Sequence, residues 1–378
     1  MLERYGHGGD WVTAEERYGR PETGWLDFSA NMNPAGPPEA VGAIFRDHWR
    51  EIARYPDPAV RGLRAKLARE YGIPPEAVLV GNGAAELIDL AVRGIGPASA
   101  LLAQPSFKEY EDALKKGGVA VRTTRLAKER DYLLTEAELD SAISGPGTPG
   151  VPSVPGADGP DCVFLGHPNN PTGRLVPRET IDRLRRNASL LLLDEAFMDF
   201  VPEEKDVSLI REAAESERLI VFRSMTKFYA IPGIRLGFMV AHPKRIAELR
   251  ALQPPWSVNF LAQLIGEAVL DEREYAARTR AWLQEERPWL TGRLRSLGIE
   301  ACPSDVNYLL GELPAASGWT ARTLQDRLAG RGILIRDASL FQGLSERHFR
   351  IAVRLRGENE RLLQELEQAL SRGAPAHA

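Results

Sequence analysis

One lysine stands in a segment suited to covalent chemistry: Ser224-Met225-Thr226-Lys227-Phe228-Tyr229-Ala230-Ile231-Pro232-Gly233-Ile234-Arg235-Leu236-Gly237. A lysine amine forms a Schiff base with an aldehyde. A hydroxyl and a guanidinium on the same loop can hold a phosphate. Taken alone, Ser-x-x-Lys also describes an ordinary surface lysine. In Leu190-Leu191-Leu192-Leu193-Asp194-Glu195-Ala196-Phe197 a carboxylate ends an apolar run. A buried carboxylate there can keep a pyridine nitrogen protonated, and a strand-end acid or helix cap is the plainer alternative. Asn169-Asn170-Pro171-Thr172-Gly173 offers an amide to a phenolic oxygen, and its residues are also turn formers. Gly81-Asn82-Gly83-Ala84-Ala85-Glu86 either exposes backbone N–H groups to a phosphate at a helix start or makes a plain tight turn.

These segments need strands and helices to position them. Short apolar runs at 77–80, 98–103, 119–123, 162–165, 190–193 and 219–222 read as strands. Helical patterns at 39–52, 59–71, 84–92 and 107–116 accompany them. Strands alternating with helices predict a mostly parallel sheet covered on both faces. Residues 1–38 read as an irregular arm, rich in Gly, Pro and Asn. Residues 145–160 read as a Gly/Pro-rich surface loop. A charged helix at 271–296 leads to strands at 307–310, 333–335 and 349–353 and helices at 320–330 and 357–371. The organisation expected is an arm (1–38), a large domain (39–270) and a small α+β domain (271–378).

Composition narrows the chemistry. The 378 residues carry 48 Lys and Arg against 52 Asp and Glu, a net charge of −4, which gives no argument for nucleic acid. Two cysteines outside any C-x-x-C pair and scattered histidines give no metal signature. The N-terminus lacks a signal-peptide pattern, and the longest aliphatic run is far short of a membrane span. A cytoplasmic protein is expected.

In this order the four segments resemble the fold-type I pyridoxal-phosphate enzymes, the aspartate aminotransferase-like superfamily, over about residues 5–370. The resemblance implies an α/β fold with a mostly parallel seven-stranded sheet sandwiched by helices, a small C-terminal domain, and pyridoxal 5'-phosphate as cofactor. Lys227 would carry the cofactor, Asp194 would pair with its ring nitrogen, and Asn170 would bond its phenolic oxygen. Ser224, Arg235 and the backbone of Gly83 and Ala84 would hold the phosphate, with Phe107 stacked on the ring. Tyr55, in Arg-Tyr-Pro-Asp-Pro, would reach the neighbouring subunit's cofactor phosphate, which implies a homodimer. Many members have tyrosine where Phe197 stands, so the ring oxygen keeps fewer donors here.

The substrate end narrows the reaction. Arg350, in His-Phe-Arg-Ile-Ala-Val-Arg, matches the family's α-carboxylate arginine, while Arg354 and Arg356 read as exposed strand arginines. Arg336 adds a second arginine, and two suit a substrate with two anionic groups. His7-Gly8-Gly9, Asp27 to Pro34, Asp194 to Phe200, Ser224 to Gly237 and Pro255 to Asn259 are together similar to the L-threonine-O-3-phosphate decarboxylases. These make (R)-1-amino-2-propanol O-2-phosphate for the cobalamin side chain. His7, Gly8, Asn31, Asn170, Arg336 and Arg350 would then contact the phosphorylated substrate. The alternative activity is a histidinol-phosphate-type aminotransferase; a pyridoxal-phosphate-binding regulator is a third reading, disfavoured by the short arm and negative charge.

Overall fold

The apolar runs assemble into one central sheet. In the computed structural model, which describes residues 7–136, 138–139 and 160–373, three sheets and their helices position the candidate residues. A short strand in the arm, β1 (Leu26–Asp27), precedes the sheet strands β2 (Val78–Gly81), β3 (Ser99–Gln104), β4 (Ala120–Arg125), β5 (Cys162–Gly166), β6 (Leu190–Asp194), β7 (Leu219–Ser224) and β8 (Gly237–Ala241). The order is β2-β8-β7-β6-β5-β3-β4. Strands β4, β3, β5, β6 and β7 pair in parallel, and β8 is antiparallel to both β7 and β2. Every residue of β6 and β7 is buried, so their sequences read as continuous runs rather than alternations.

A second sheet holds β9 (Glu300–Ala301), β10 (Tyr308–Glu312), β12 (Arg336–Asp337) and β13 (His348–Ala352), all antiparallel, in the order β12-β13-β10-β9. Strand β11 (Ile333–Leu334) pairs with β1 of the arm instead. The single run expected at 333–335 is therefore two strands, with the change of sheet at Ile335. The helix expected at 271–296 spans Arg273–Ser296, and the last helix spans Arg356–Arg372.

Three expectations need correction. The arm is not wholly irregular. Asp10 accepts a hydrogen bond from Thr13 N at 3.0 Å and starts a helix, Trp11–Tyr18. Its one buried residue is Ala14, so no apolar stripe announces it. Arg356 is not on a strand: it opens the last helix and pairs with Glu286 at 2.8 Å. Arg354 follows β13, where it is largely covered and pairs with Glu358 at 2.9 Å. The expected loop at 145–160 lies, apart from Pro160, outside the described residues.

Candidate active site

The carboxyl ends of the parallel strands open into a cavity of about 840 Å³. Ligands of open α/β sheets gather at such ends. Of the residues singled out in the sequence, His7, Gly8, Asn31, Gly83, Ala84, Phe107, Asn170, Asp194, Ser224, Lys227, Arg235, Arg336 and Arg350 all line it. Tyr55 does not. It is 81% exposed and stacks on Trp256 with ring centroids 4.8 Å apart.

The floor is built by strand ends. Lys227 follows β7, and its Nζ donates to Ser224 Oγ at 2.9 Å. Burial lowers the Lys227 amine to about 8; Asp194 opposes that shift and Arg235 adds to it. An amine near 8 is neutral often enough to act as a nucleophile at mildly alkaline pH. Asp194 ends β6 and is buried. It accepts from Tyr110 Oη at 2.7 Å and from Ala196 N at 2.9 Å. Burial raises its carboxyl, and the Tyr110 hydrogen bond, the Lys227 charge and Ala196 N–H act against that. Phe107 meets Tyr110 edge-on, and the Phe197 ring lies 5.7 Å from Lys227 Nζ.

The opposite faces of the same strand ends carry a second set of charges. Successive residues of a strand point to opposite faces. Asp194 and Ser224 meet the cavity, while Glu195 and Arg223 meet each other at 3.1 Å beneath it. Arg223 also pairs with Asp199 at 3.1 Å and Glu204 at 2.7 Å. Glu204 in turn pairs with Arg280 of the helix Arg273–Ser296 at 3.0 Å. Burial pushes the Glu195 carboxyl up to about 7 despite Arg223.

One side of the cavity is an anion cradle. Gly83 has φ +82°, a conformation costly for other residues, and precedes the helix Ala84–Ile95. A Cβ on it would lie 2.5 Å from Arg235 Nη2, so glycine lets the guanidinium close on the bare helix N-terminus. Amine, carboxylate, amide, hydroxyl, guanidinium and N-terminus together fit an aromatic aldehyde that carries a ring nitrogen, a phenolic oxygen and a phosphate.

The other side is also basic. Arg336 on β12 and Arg350 on β13 are Cα partners across an antiparallel pair. Like charges placed directly opposite repel. Arg350 donates from Nη1 to Asn170 Oδ1 and from Nη2 to Ser29 O at 3.0 Å. Asn31 is buried, and its Oδ1 has no hydrogen-bond partner among the described residues. The arm closes this side. A Cβ on Gly8 would lie 2.2 Å from Ser29 O, so only glycine lets the arm lie this close. His7 Nε2 pairs with Glu109 Oε1 at 2.9 Å.

Several lining residues carry no signal of their own in the sequence: Ser29, Met32, Glu109, Tyr110, Leu340 and Phe341. Tyr110 lies three residues after Phe107, one helical turn on, so its place beside the cavity follows only once Phe107 is assigned there. Leu340 and Phe341 sit in an irregular loop, which no periodicity marks.

A family model described as aminotransferase class I and II matches residues 23–366. The chain is 38% identical to a threonine-phosphate decarboxylase of Salmonella typhimurium over 376 residues, which covers 98% of each chain. It is 30% identical to a histidinol-phosphate aminotransferase of Oleidesulfovibrio alaskensis, covering 94% of this chain and 90% of that one. The crystal structure of L-threonine-O-3-phosphate decarboxylase from Porphyromonas gingivalis superposes with a TM-score of 0.78 at 27% identity, covering 91% of this chain and 99% of that one. The chain belongs to the class I and II aminotransferase family.

Proposed function

We propose that the protein decarboxylates L-threonine O-3-phosphate to (R)-1-amino-2-propanol O-2-phosphate, the amino-alcohol unit of the cobalamin nucleotide loop, with pyridoxal 5'-phosphate as cofactor. The observation that carries this reading is the opposed Arg336–Arg350 pair facing Lys227 across one cavity. Two guanidiniums on one cavity suit a doubly anionic substrate, here a carboxylate and a phosphate. The 38% identity to a threonine-phosphate decarboxylase supports the choice of substrate.

Pyridoxal phosphate, when bound, supplies an aldehyde for the substrate's amine and a ring that takes up the electron pair of the broken bond. Lys227 binds it, and Ser224, Arg235 and the N–H groups after Gly83 hold its phosphate. Asp194 would keep a proton on its ring nitrogen, Asn170 would bond its phenolic oxygen, and Phe107 would lie against the ring. Phe197 offers no hydroxyl there, so that oxygen keeps fewer donors.

Arg336, His7, Gly8 and Asn31 take the substrate's phosphate, and Arg350 takes its carboxylate. Carbon dioxide leaves uncharged. A tight charge pair to the departing carboxylate therefore favours the ground state over the transition state. Arg350 already donates to Asn170 and Ser29, which weakens its hold and leaves orientation to the phosphate side. Lys227 Nζ, held by Ser224 Oγ, then delivers a proton to Cα. Phe197, Leu340 and Phe341 put apolar surface on the cavity wall.

Arg336→Ala tests the phosphate clamp. We expect kcat/KM on threonine phosphate to fall by about 100-fold, the loss typical of truncating one side of a buried charge pair. A loss below about threefold on this account's scale would remove the clamp from it.

The protein is read as a homodimer with shared sites. Support comes from the exposure of Tyr55 and of Phe45, Trp49 and Ile52, which precede it in the sequence. Mixing Tyr55→Ala with Lys227→Ala chains should give more activity than the two separately. No gain after subunit exchange would count against sharing. The arm (1–38), large domain (39–270) and small domain (271–378) are the working division: the seven-stranded sheet falls in the second and the four-stranded sheet in the third. No described helix is long and apolar enough to cross a membrane. The cytoplasm is the proposed location, which cell fractionation checks.

A further inference from the structure

Glu109 is one of two acids in a cavity whose other charged residues are basic. Lys108, Lys227, Arg235, Arg336 and Arg350 share the walls with it, and the other carboxylate, Asp194, is spoken for at the floor. Glu109 lies in the first turn of the helix Lys108–Lys116, next to Phe107. Its Oε1 meets His7 Nε2 at 2.9 Å. The His7 ring also rests against Phe107, with centroids 5.9 Å apart. The hydrogen bond from His7 holds the Glu109 carboxyl below the usual carboxylate range, against its partial burial, and Lys116 and Lys108 add to this.

We propose that Glu109 is a positioning residue: it fixes the arm's His7 over the cavity and commits Nε2 to itself, so that Nδ1 is the nitrogen presented to the substrate's phosphate. The inference rests on the reading that this end of the cavity takes a phosphate. The chemistry follows from the two ring nitrogens. A carboxylate only accepts, so Nε2 must carry a proton. The tautomer and ring orientation of a histidine are set by the bond its other nitrogen makes. A phosphate oxygen also only accepts, so the contact from Nδ1 needs an N–H on that nitrogen as well. Among the described residues, Phe107 is the other ring contact of His7, so Glu109 supplies its directional bond.

The test uses the holoenzyme and two variants, Glu109→Gln and His7→Asn. Glu109 and His7 are partly exposed, so neither change disturbs a core. We expect KM for threonine phosphate to rise about tenfold in Glu109→Gln with kcat within twofold, the scale of one hydrogen bond to a charged group. His7→Asn should raise KM at least as much. In the double variant Glu109→Gln should add nothing further, because it acts through His7. Independently of turnover, inorganic phosphate added to the holoenzyme should shift the His7 ring NMR signals, and Glu109→Gln should require more phosphate to do so. If His7→Asn raises KM and Glu109→Gln does not, the proposal is wrong and the phosphate reading stands. If neither change moves KM, both the His7 contact and this proposal fall. A lower KM in Glu109→Gln would mean that Glu109 competes with the substrate for His7, which also overturns it.

Discussion

Lys227→Ala is expected to abolish decarboxylation, with a loss in kcat of about 10,000-fold or more, the upper range for a positioned proton-transfer group. Two roles vanish together. The side chain is the one amine that the structure places against Ser224 and under the influence of Asp194 and Arg235. In the proposed function it is both the anchor for the cofactor and the proton donor to Cα. Burial, which lowers the amine to about 8, is what makes it usable as both. The variant should fold, since Asp194 keeps its hydrogen bonds from Tyr110 Oη and Ala196 N, and Ser224 Oγ keeps its contact with Thr226 Oγ1 at 2.9 Å. Borohydride reduction followed by mass spectrometry gives a check apart from turnover. The wild-type chain should gain the cofactor's mass on the peptide that contains Lys227, and the variant should gain none. Mass gain at another lysine would relocate the anchor.

Asp194→Asn should be nearly as damaging, with kcat lower by about 100- to 1,000-fold, the range for losing one preorganised electrostatic partner. The carboxylate is buried and held by Tyr110 and Ala196, so its charge is fixed in place. Asparagine keeps the size and an acceptor oxygen but cannot balance a protonated ring nitrogen. A second consequence has a definite sign. Asp194 raises the Lys227 pKa, opposing burial. Removing its charge must therefore lower that amine further. In the apoprotein, the rate at which Lys227 reacts with added pyridoxal phosphate should follow an ionisation near 8 in the wild type and a lower one in the variant. An unchanged or higher midpoint would show that the carboxylate does not act on the amine. Asp194→Glu, which restores the charge, should recover part of both effects.

Much of this site is legible in the sequence because parallel strands announce themselves. Leu190–Leu193 and Leu219–Phe222 are buried on both faces, so each is an apolar run whose end must lie at the ligand edge. Asp194, Ser224 and Lys227 follow from that edge. The antiparallel β8 is harder to see: Gly237–Ala241 is a short run attached to the Lys227 loop, with no helix before it. Its pairing with β7 sets Gly237 opposite Ser224, which brings the Arg235 turn back to the helix N-terminus at Gly83. The arm helix Trp11–Tyr18 buries too little apolar surface to show a period. The charge cluster around Arg223 is hidden for another reason. Each of its members looks like an ordinary surface residue until Asp194 and Ser224 are assigned to the cavity, which turns Glu195 and Arg223 to the opposite face. The register that sets Arg336 against Arg350 depends on a long-range pairing that local patterns do not encode.

Carbon dioxide release without a keto acid decides the reaction. Holoenzyme is given L-threonine O-3-phosphate with no keto acid present, and carbon dioxide is measured over many turnovers. Steady release is expected, matched mole for mole by 1-amino-2-propanol O-2-phosphate. No release, with 2-oxoglutarate-dependent loss of histidinol phosphate instead, would contradict it and make the protein an aminotransferase.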